Sequence, residues 1–279
     1  MTDYGSATET KIQEVVQACE RSGNRSIIAL AGVPGTGKSF IASIAAQRYT
    51  GEPLLVREVQ FHQAFSYEEF IEGMRIDSSG AVTVLPGIFL DWNDQAHEDP
   101  DHRYVLLVEE LTRANLSAVL GELMTYVEHR DRPFLTVYSR RPVKVAENLT
   151  IIATYNPTDR SAIEIDSALL RRLRVIDFPP STEQLAEMLK KTALPPKVVA
   201  QLQRVFTACK DHFTADYEHL MPFGHGIFAD VKAEVPDLNR LWEERIRHIV
   251  RRPLIDPHPF ADLIEQEYPW HQSPEFMLS

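Results

Sequence analysis

The chain has 279 residues, with 29 Lys and Arg against 40 Asp and Glu, a formal net charge of −11. Its 44% hydrophobic and 25% charged composition is that of an ordinary globular protein and excludes a disordered or fibrous chain. The acidic balance argues against a protein that coats nucleic acid by itself, and no apolar run approaches the ~20 residues of a bilayer span.

Residues 7–21 place Ile12, Val15, Val16 and Cys19 at helical spacing and predict an opening amphipathic helix. After Gly23-Asn24, residues 26–32 read as a buried strand, followed by a glycine-rich turn and a helix over 39–49. A second strand is expected at 54–61. An insert follows: a short helix over 67–74, a hairpin through Ser78-Ser79-Gly80, and a helix after Pro86-Gly87. A third strand is expected at 104–108, a long helix at 115–129, short strands flanking Ser139 to Pro142, a fourth strand at 149–154 and a fifth at 175–178. Strands alternating with helices predict an α/β fold, a parallel sheet with helices on both faces. From Ser181 onward the periodicity is helical, with prolines as punctuation. The expected organisation is a core over 1–180 with the insert at 62–90, a helical lid over 181–270, and a tail over 271–279. The N-terminus has neither a basic start nor an apolar stretch, and only Cys19 and Cys209 are present. A reducing, cytoplasmic location with no membrane association is the expectation.

Gly32-Val33-Pro34-Gly35-Thr36-Gly37-Lys38-Ser39 fits G-x-x-x-x-G-K-[ST] between an expected strand and helix. Glycines let successive backbone N–H groups curl around phosphate oxygens, and the helix N-terminus adds a favourable dipole. Lys38 is placed to reach the terminal phosphates of a nucleoside triphosphate, Ser39 to ligate magnesium, and Phe40 to flank the site. The third strand runs into Glu109-Glu110. A first carboxylate there completes a magnesium site, and a second, Glu110, polarises water as general base; two solvated carboxylates at a strand end are the bland alternative. The fourth strand leads into Asn156-Pro157-Thr158-Asp159, where an amide can bridge the γ-phosphate and the attacking water; a plain Asn-Pro turn is the alternative. Arg171, Arg172 and Arg174 cluster before the fifth strand. One of Arg171 and Arg172 could serve a neighbouring copy as an arginine finger, or the cluster could simply favour a helix C-terminus. His62, His129 and His225 lack metal-ligand spacing.

These segments, in this order, resemble the AAA+ ATPase superfamily, a P-loop NTPase core with a five-stranded parallel sheet and a C-terminal all-helical lid. The stretches Val59 to His62, Phe65 to Gly73 and Leu85 to Leu90 are similar to the McrB branch of it. So are Glu109-Glu110-Leu-Thr-Arg113-Ala-Asn115, Gly121-Glu122-Leu123, Glu128-His129, Tyr155 to Ser161, Asp166 to Leu173, and Phe223 to Phe228. That resemblance implies a GTP-hydrolysing ring, a hexamer, that powers a McrC-like partner nuclease in modification-dependent DNA restriction. By the same resemblance Gly35, Gly37, Lys38 and Ser39 bind phosphate and Mg2+, Glu109 and Glu110 form the acidic motif, Asn156 and Asp159 sit near the γ-phosphate, and the insert faces the ring's pore. The first acid is Glu where the branch has Asp, and Pro157-Thr158 replaces Thr-Ala, as in MoxR-type and dynein-type relatives. McrB proteins carry an N-terminal reader of modified DNA; residues 1–25 cannot hold one, so DNA contact is expected through a partner, or the chain is a truncated form. GTP or ATP remains open. So do a MoxR-like chaperone ATPase and a nucleotide-gated scaffold with weak turnover.

Overall fold

In the computed structural model the described residues are 4–21, 26–76, 78–157, 167–192, 194–213, 221–229 and 240–250. The chain divides into two compact units. One comprises Lys11–Ala31 and Lys38–Asp177; the other comprises Met1–Thr10, Gly32–Gly37 and Phe178–Ser279.

The first unit is built on a five-stranded sheet. Its strands are β1 (Ile27–Ala31), β2 (Val56–Gln60), β5 (Tyr104–Glu109), β8 (Leu149–Tyr155) and β9 (Leu173–Asp177), in the order β2-β5-β8-β1-β9. Every pairing is parallel. The three interior strands are buried at every position, which is why they read as unbroken apolar runs and not as alternating ones. α2 (Lys38–Thr50) buries Ile41, Ala42, Ala45, Ala46 and Tyr49, its small residues allowing close approach. α4 (Ile88–Glu98) buries Phe89, Leu90, Trp92 and Asn93.

Two expected elements differ. Residues 67–74 do not form one helix: α3 (Tyr67–Phe70) ends at Ile71, and β3 (Glu72–Ile76) pairs antiparallel with β4 (Val82–Pro86). The capping box of Ser66 and Glu69 starts the helix, but the β-hairpin captures the residues after Ile71. The long helix expected at 115–129 is broken into α5 (Leu116–Leu120) and α6 (Leu123–Tyr126). Gly121 sits between them at φ 49°, and a Cβ there would lie 2.8 Å from Cε2 of Tyr67. The positive φ at Gly121, where the ring leaves no room for a side chain, ends α5 where periodicity alone would continue it.

The β3–β4 hairpin presents Met74 opposite Val84 and Ile76 opposite Val82 on one face, all four exposed. Its base is fixed by Glu72, only 2% exposed. That carboxylate accepts from Tyr138 N (2.7 Å), Ser139 N (2.9 Å) and Ser139 Oγ (2.6 Å), in the turn between β6 (Phe134–Leu135) and β7 (Pro142–Val143). Burial opposes the charge, but the Ser139 and Tyr138 donors hold the carboxyl below its ordinary range. Nearby, Arg130 is 1% exposed and donates to the carbonyls of Val127 (3.3 Å), Leu149 (2.7 Å) and Ala146.

The second unit has a separate apolar core. α7 (Thr182–Leu189) contributes Leu185 and Leu189, and α8 (Pro196–His212) contributes Leu202, Val205, Phe206 and Cys209. A tight turn, His225–Phe228, and the helical run Trp242–Ile246 complete it. The residues of α1 (Ser6–Arg21) that belong here are capped by Glu187, which accepts from Ala7 N (2.7 Å) and Thr8 N (3.2 Å). A carboxylate at a helix N-terminus is favoured by both the free N–H groups and the dipole.

Candidate nucleotide site

In the sheet unit, β5 delivers Glu109 and Glu110 beside the start of α2. The backbone enters α2 at Lys38 and Ser39, with no acidic residue in the first turn. Ser39 Oγ donates to Glu109 Oε2 at 2.8 Å. Thr154, near the end of β8, donates its hydroxyl proton to the same carboxylate oxygen. The Glu110 N–H in turn donates to Thr154 Oγ1 at 3.2 Å. Burial lowers the Lys38 pKa from its ordinary value, while the charges of Glu110 and Glu109 oppose that shift.

Glu109 is only 8% exposed, and its second oxygen, Oε1, is buried with no hydrogen-bond partner. An ionised carboxylate left with an idle buried oxygen costs free energy. A hydroxyl and a carboxylate meeting at such a point form an oxygen-only donor set, the kind a hard divalent cation such as Mg2+ selects. Ser39 and Glu109 therefore fit the ion. The extra methylene of Glu109, relative to the Asp of the resembling branch, leaves its carboxylate within hydrogen-bond reach of Ser39.

Glu110 has φ 57° and ψ 46°, a left-handed conformation rare outside glycine and costing about 1 kcal/mol or more. Its carboxylate lies 3.5 Å from Arg113 Nε. Strain of this kind concentrates where a side chain must be aimed. Asn156 follows β8 directly and is half-buried; Asp159 lies outside the described residues. Phe40, on the first turn of α2, is 53% exposed.

Arg171 and Arg172 do not join this group. Ile27 N donates to Arg172 O at 3.1 Å, so the pair stands where β1 begins. Glu109, at the C-terminal end of β5, lies at the opposite end of the parallel strands. A five-residue strand separates those ends by roughly 16 Å. Arg172 pairs with Glu128 (3.1 Å), whereas Arg171 is exposed.

In the second unit, the loop Gly32–Gly37 has its own partners. Gly35 and Gly37 take φ of 80° and 83°, the left-handed region that the glycines of the signature supply. Thr36 is fully buried, and its Oγ1 donates to Val33 O at 3.0 Å, so the side chain holds the loop's shape. Pro34 O accepts from Gly224 N and Gly35 O from Gly226 N, each at 2.7 Å. A Cβ on Gly224 would lie 2.4 Å from Gly35 O, so the approach requires glycine. His225, between these glycines, is 6% exposed, accepts weakly from Ser181 N (3.4 Å), and is pushed down to about 4 by burial.

Sequence reasoning singled out the loop, both carboxylates and Asn156. It missed Thr154, whose one signal is its position two residues before Asn156, on the same face of an extended strand.

The parallel sheet, the phosphate-loop signature and the acidic end of β5 define a P-loop nucleotide-binding fold of the AAA type. Residues 27–173 match the AAA domain (dynein-related subfamily), and the chain belongs to that family. It is 33% identical over 273 residues to the McrB subunit of the type IV methyl-directed restriction enzyme EcoKMcrB of Escherichia coli K12, covering 93% of this chain and 59% of that protein. It is 24% identical over 183 residues to component YdiS of the type II restriction enzyme BsuMI of Bacillus subtilis 168, covering 50% of this chain and 53% of that protein. The chain thus spans between half and three-fifths of the length of these relatives. A solved structure from Cytophaga hutchinsonii aligns over 94% of this chain and 84% of its own at 11% identity, with a TM-score of 0.42. No helix among the described residues is long and apolar enough to cross a membrane.

Proposed function

We propose that this chain is a nucleoside triphosphatase of McrB type, the motor component of a restriction system. The observation that carries the reading is the cluster in which Ser39 reaches Glu109 at 2.8 Å at the start of the helix that Lys38 opens, while Glu109 Oε1 stays idle. The loop amides of Gly32, Gly35, Thr36 and Gly37 would hold the phosphates, with Pro34, which has no N–H, shaping the turn, and Lys38 would neutralise the terminal two. Ser39 and Glu109 would hold Mg2+, which supplies charge neutralisation across the phosphates. Glu110 takes the proton of the attacking water. Asn156 and Asp159 orient that water against the γ-phosphate. Arg171 from an adjacent copy neutralises charge developing on the transferred phosphoryl group.

That last role supports a ring of identical chains, with six as the proposed number. In this reading residues 1–180 are the nucleotide-binding core, the hairpin-bearing insert at 62–90 faces the ring's pore, and 181–270 is the lid. GTP is the proposed substrate, and a McrC-like nuclease the proposed partner, with DNA contacted through it. The similarity to the E. coli McrB subunit supports both, as it does a cytoplasmic role in defence against foreign DNA. The test is steady-state hydrolysis of GTP and ATP, with and without a McrC-like protein encoded beside this chain. GTP turnover stimulated by that protein is expected. Turnover of neither nucleotide under any assembly condition would overturn the reading.

A further inference from the structure

We propose that Thr154 is the positioning residue that sets both acidic side chains of the site at once, an inference that rests on the hydrolytic reading above. A threonine hydroxyl has one proton and two lone pairs. Here the Glu110 N–H points at the oxygen from 3.2 Å and occupies a lone pair. The proton is thereby left for the acceptor within reach, Glu109 Oε2. Thr154 is 2% exposed, so water does not compete for either bond. The hydroxyl acts as a two-way pin.

Each arm of the pin has a separate consequence. With Thr154 and Ser39 both donating to Oε2, the free lone pairs of Glu109 are those of Oε1, the oxygen with no partner. The carboxylate is thus rotated so that its unused oxygen is kept for a cation. The other arm holds the backbone of Glu110 at φ 57°, a conformation that a glutamate keeps only when its surroundings enforce it. Because Cβ branching limits χ1 on a strand, β8 fixes where the hydroxyl stands. The same strand runs on to Asn156, so a single element carries the pin and the candidate phosphate sensor.

The test compares the wild-type chain with Thr154→Val, which keeps the branched shape but has no hydroxyl, and Thr154→Ser, which keeps the hydroxyl. Three quantities are read. The first is hydrogen exchange at the Glu110 amide in the ligand-free chain. The second is Mn2+ affinity in the presence of a non-hydrolysable GTP or ATP analogue. The third is kcat, with metal-free analogue affinity as the control. For Thr154→Val we expect Glu110 exchange to accelerate by about tenfold or more and Mn2+ affinity to fall by about tenfold, as losing a hydrogen bond to a charged group implies. Its kcat should fall at least as far, while metal-free analogue affinity stays put; Thr154→Ser should restore all three. Wild-type exchange and metal affinity in Thr154→Val, or a serine variant as impaired as the valine one, would overturn the proposal. The exchange measurement needs no turnover. A wild-type chain that hydrolyses neither nucleotide would count against the hydrolytic reading, and the exchange comparison would still decide the role of Thr154.

Discussion

The guanidinium of Arg172 pairs with the Glu128 carboxylate, Nε to Oε2 at 3.1 Å, while the adjacent Arg171 is exposed. The two arginines are therefore not equivalent. Arg172 is committed within its own chain, and both stand at the end of the strands away from Glu109. Arg171→Ala is expected to lower turnover by about 10³-fold, as loss of an arginine finger does, without loss of folding. Mixing it with Glu110→Gln should restore activity that neither variant has alone, because an intact Glu110 then meets an intact Arg171 across a subunit boundary. Arg172→Ala should instead lower the melting temperature. An inactive mixture would assign Arg171 no role in trans.

Glu110→Gln removes the base but preserves shape and the backbone bond to Thr154. Turnover should fall by about 10²–10⁴-fold, with nucleotide affinity retained and the triphosphate-bound assembly persisting. Single-turnover hydrolysis with radiolabelled GTP measures this. A variant that turns over at the wild-type rate would remove Glu110 from the mechanism.

His225 gives the second unit a pH-dependent stability. Its folded pKa, about 4 against 6.5 when free, is lowered by burial, so between those values the unfolded chain binds a proton that the folded one does not. Stability is then fully present above pH 6.5 and is lost as pH falls towards 4. At pH 4.5 the loss from this residue is about 2–3 kcal/mol. Urea unfolding at pH 7.5 and 4.5 should show that much less acid sensitivity in His225→Asn than in wild type, once the shared carboxylate contribution is subtracted. Equal sensitivity would mean the imidazole is solvated.

Gly224→Ala should weaken nucleotide binding without touching the signature. The added methyl would meet Gly35 O at 2.4 Å, and relieving that overlap means giving up the 2.7 Å bond from Gly224 N to Pro34 O. Overpacking of this sort costs about 1–3 kcal/mol. A fluorescent nucleotide analogue should bind about tenfold more weakly if the loop depends on that brace.

Arg130→Leu tests the buried guanidinium. The carbonyls of Val127 and Leu149 lose the guanidinium, and Ala146 O is left with the Leu149 N–H alone, a loss of about 3 kcal/mol or more. Chemical denaturation should show it as a lower midpoint at unchanged slope.

The parts of this protein that could be read from its sequence are those in which one physical cause dominates. Ile27–Ala31 and Leu149–Tyr155 are buried on both faces, so composition alone declares them strands. The phosphate loop declares itself because its glycines are needed for backbone conformation. Where two causes compete, pattern fails. Residues 72–74 carry only the weak helix former Gly73 against a helix, yet they pair with β4. Leu116 to Tyr126 keeps helical spacing, yet the helix breaks at Gly121, whose φ is positive and where the Tyr67 ring leaves no room for a Cβ. Thr154 was invisible for a different reason. A lone threonine in a strand is ordinary; its meaning comes from Glu109 and Glu110, 45 and 44 residues away in the chain.

The bonds from Gly224 and Gly226 to the carbonyls of Pro34 and Gly35 bear on how this protein could be dissected. A fragment ending at Asp177 would keep every letter of the phosphate-binding signature and the whole sheet, yet leave two loop carbonyls bare. Its nucleotide affinity would understate that of the intact chain. The signature is contiguous in sequence; the device it belongs to is assembled from segments almost two hundred residues apart.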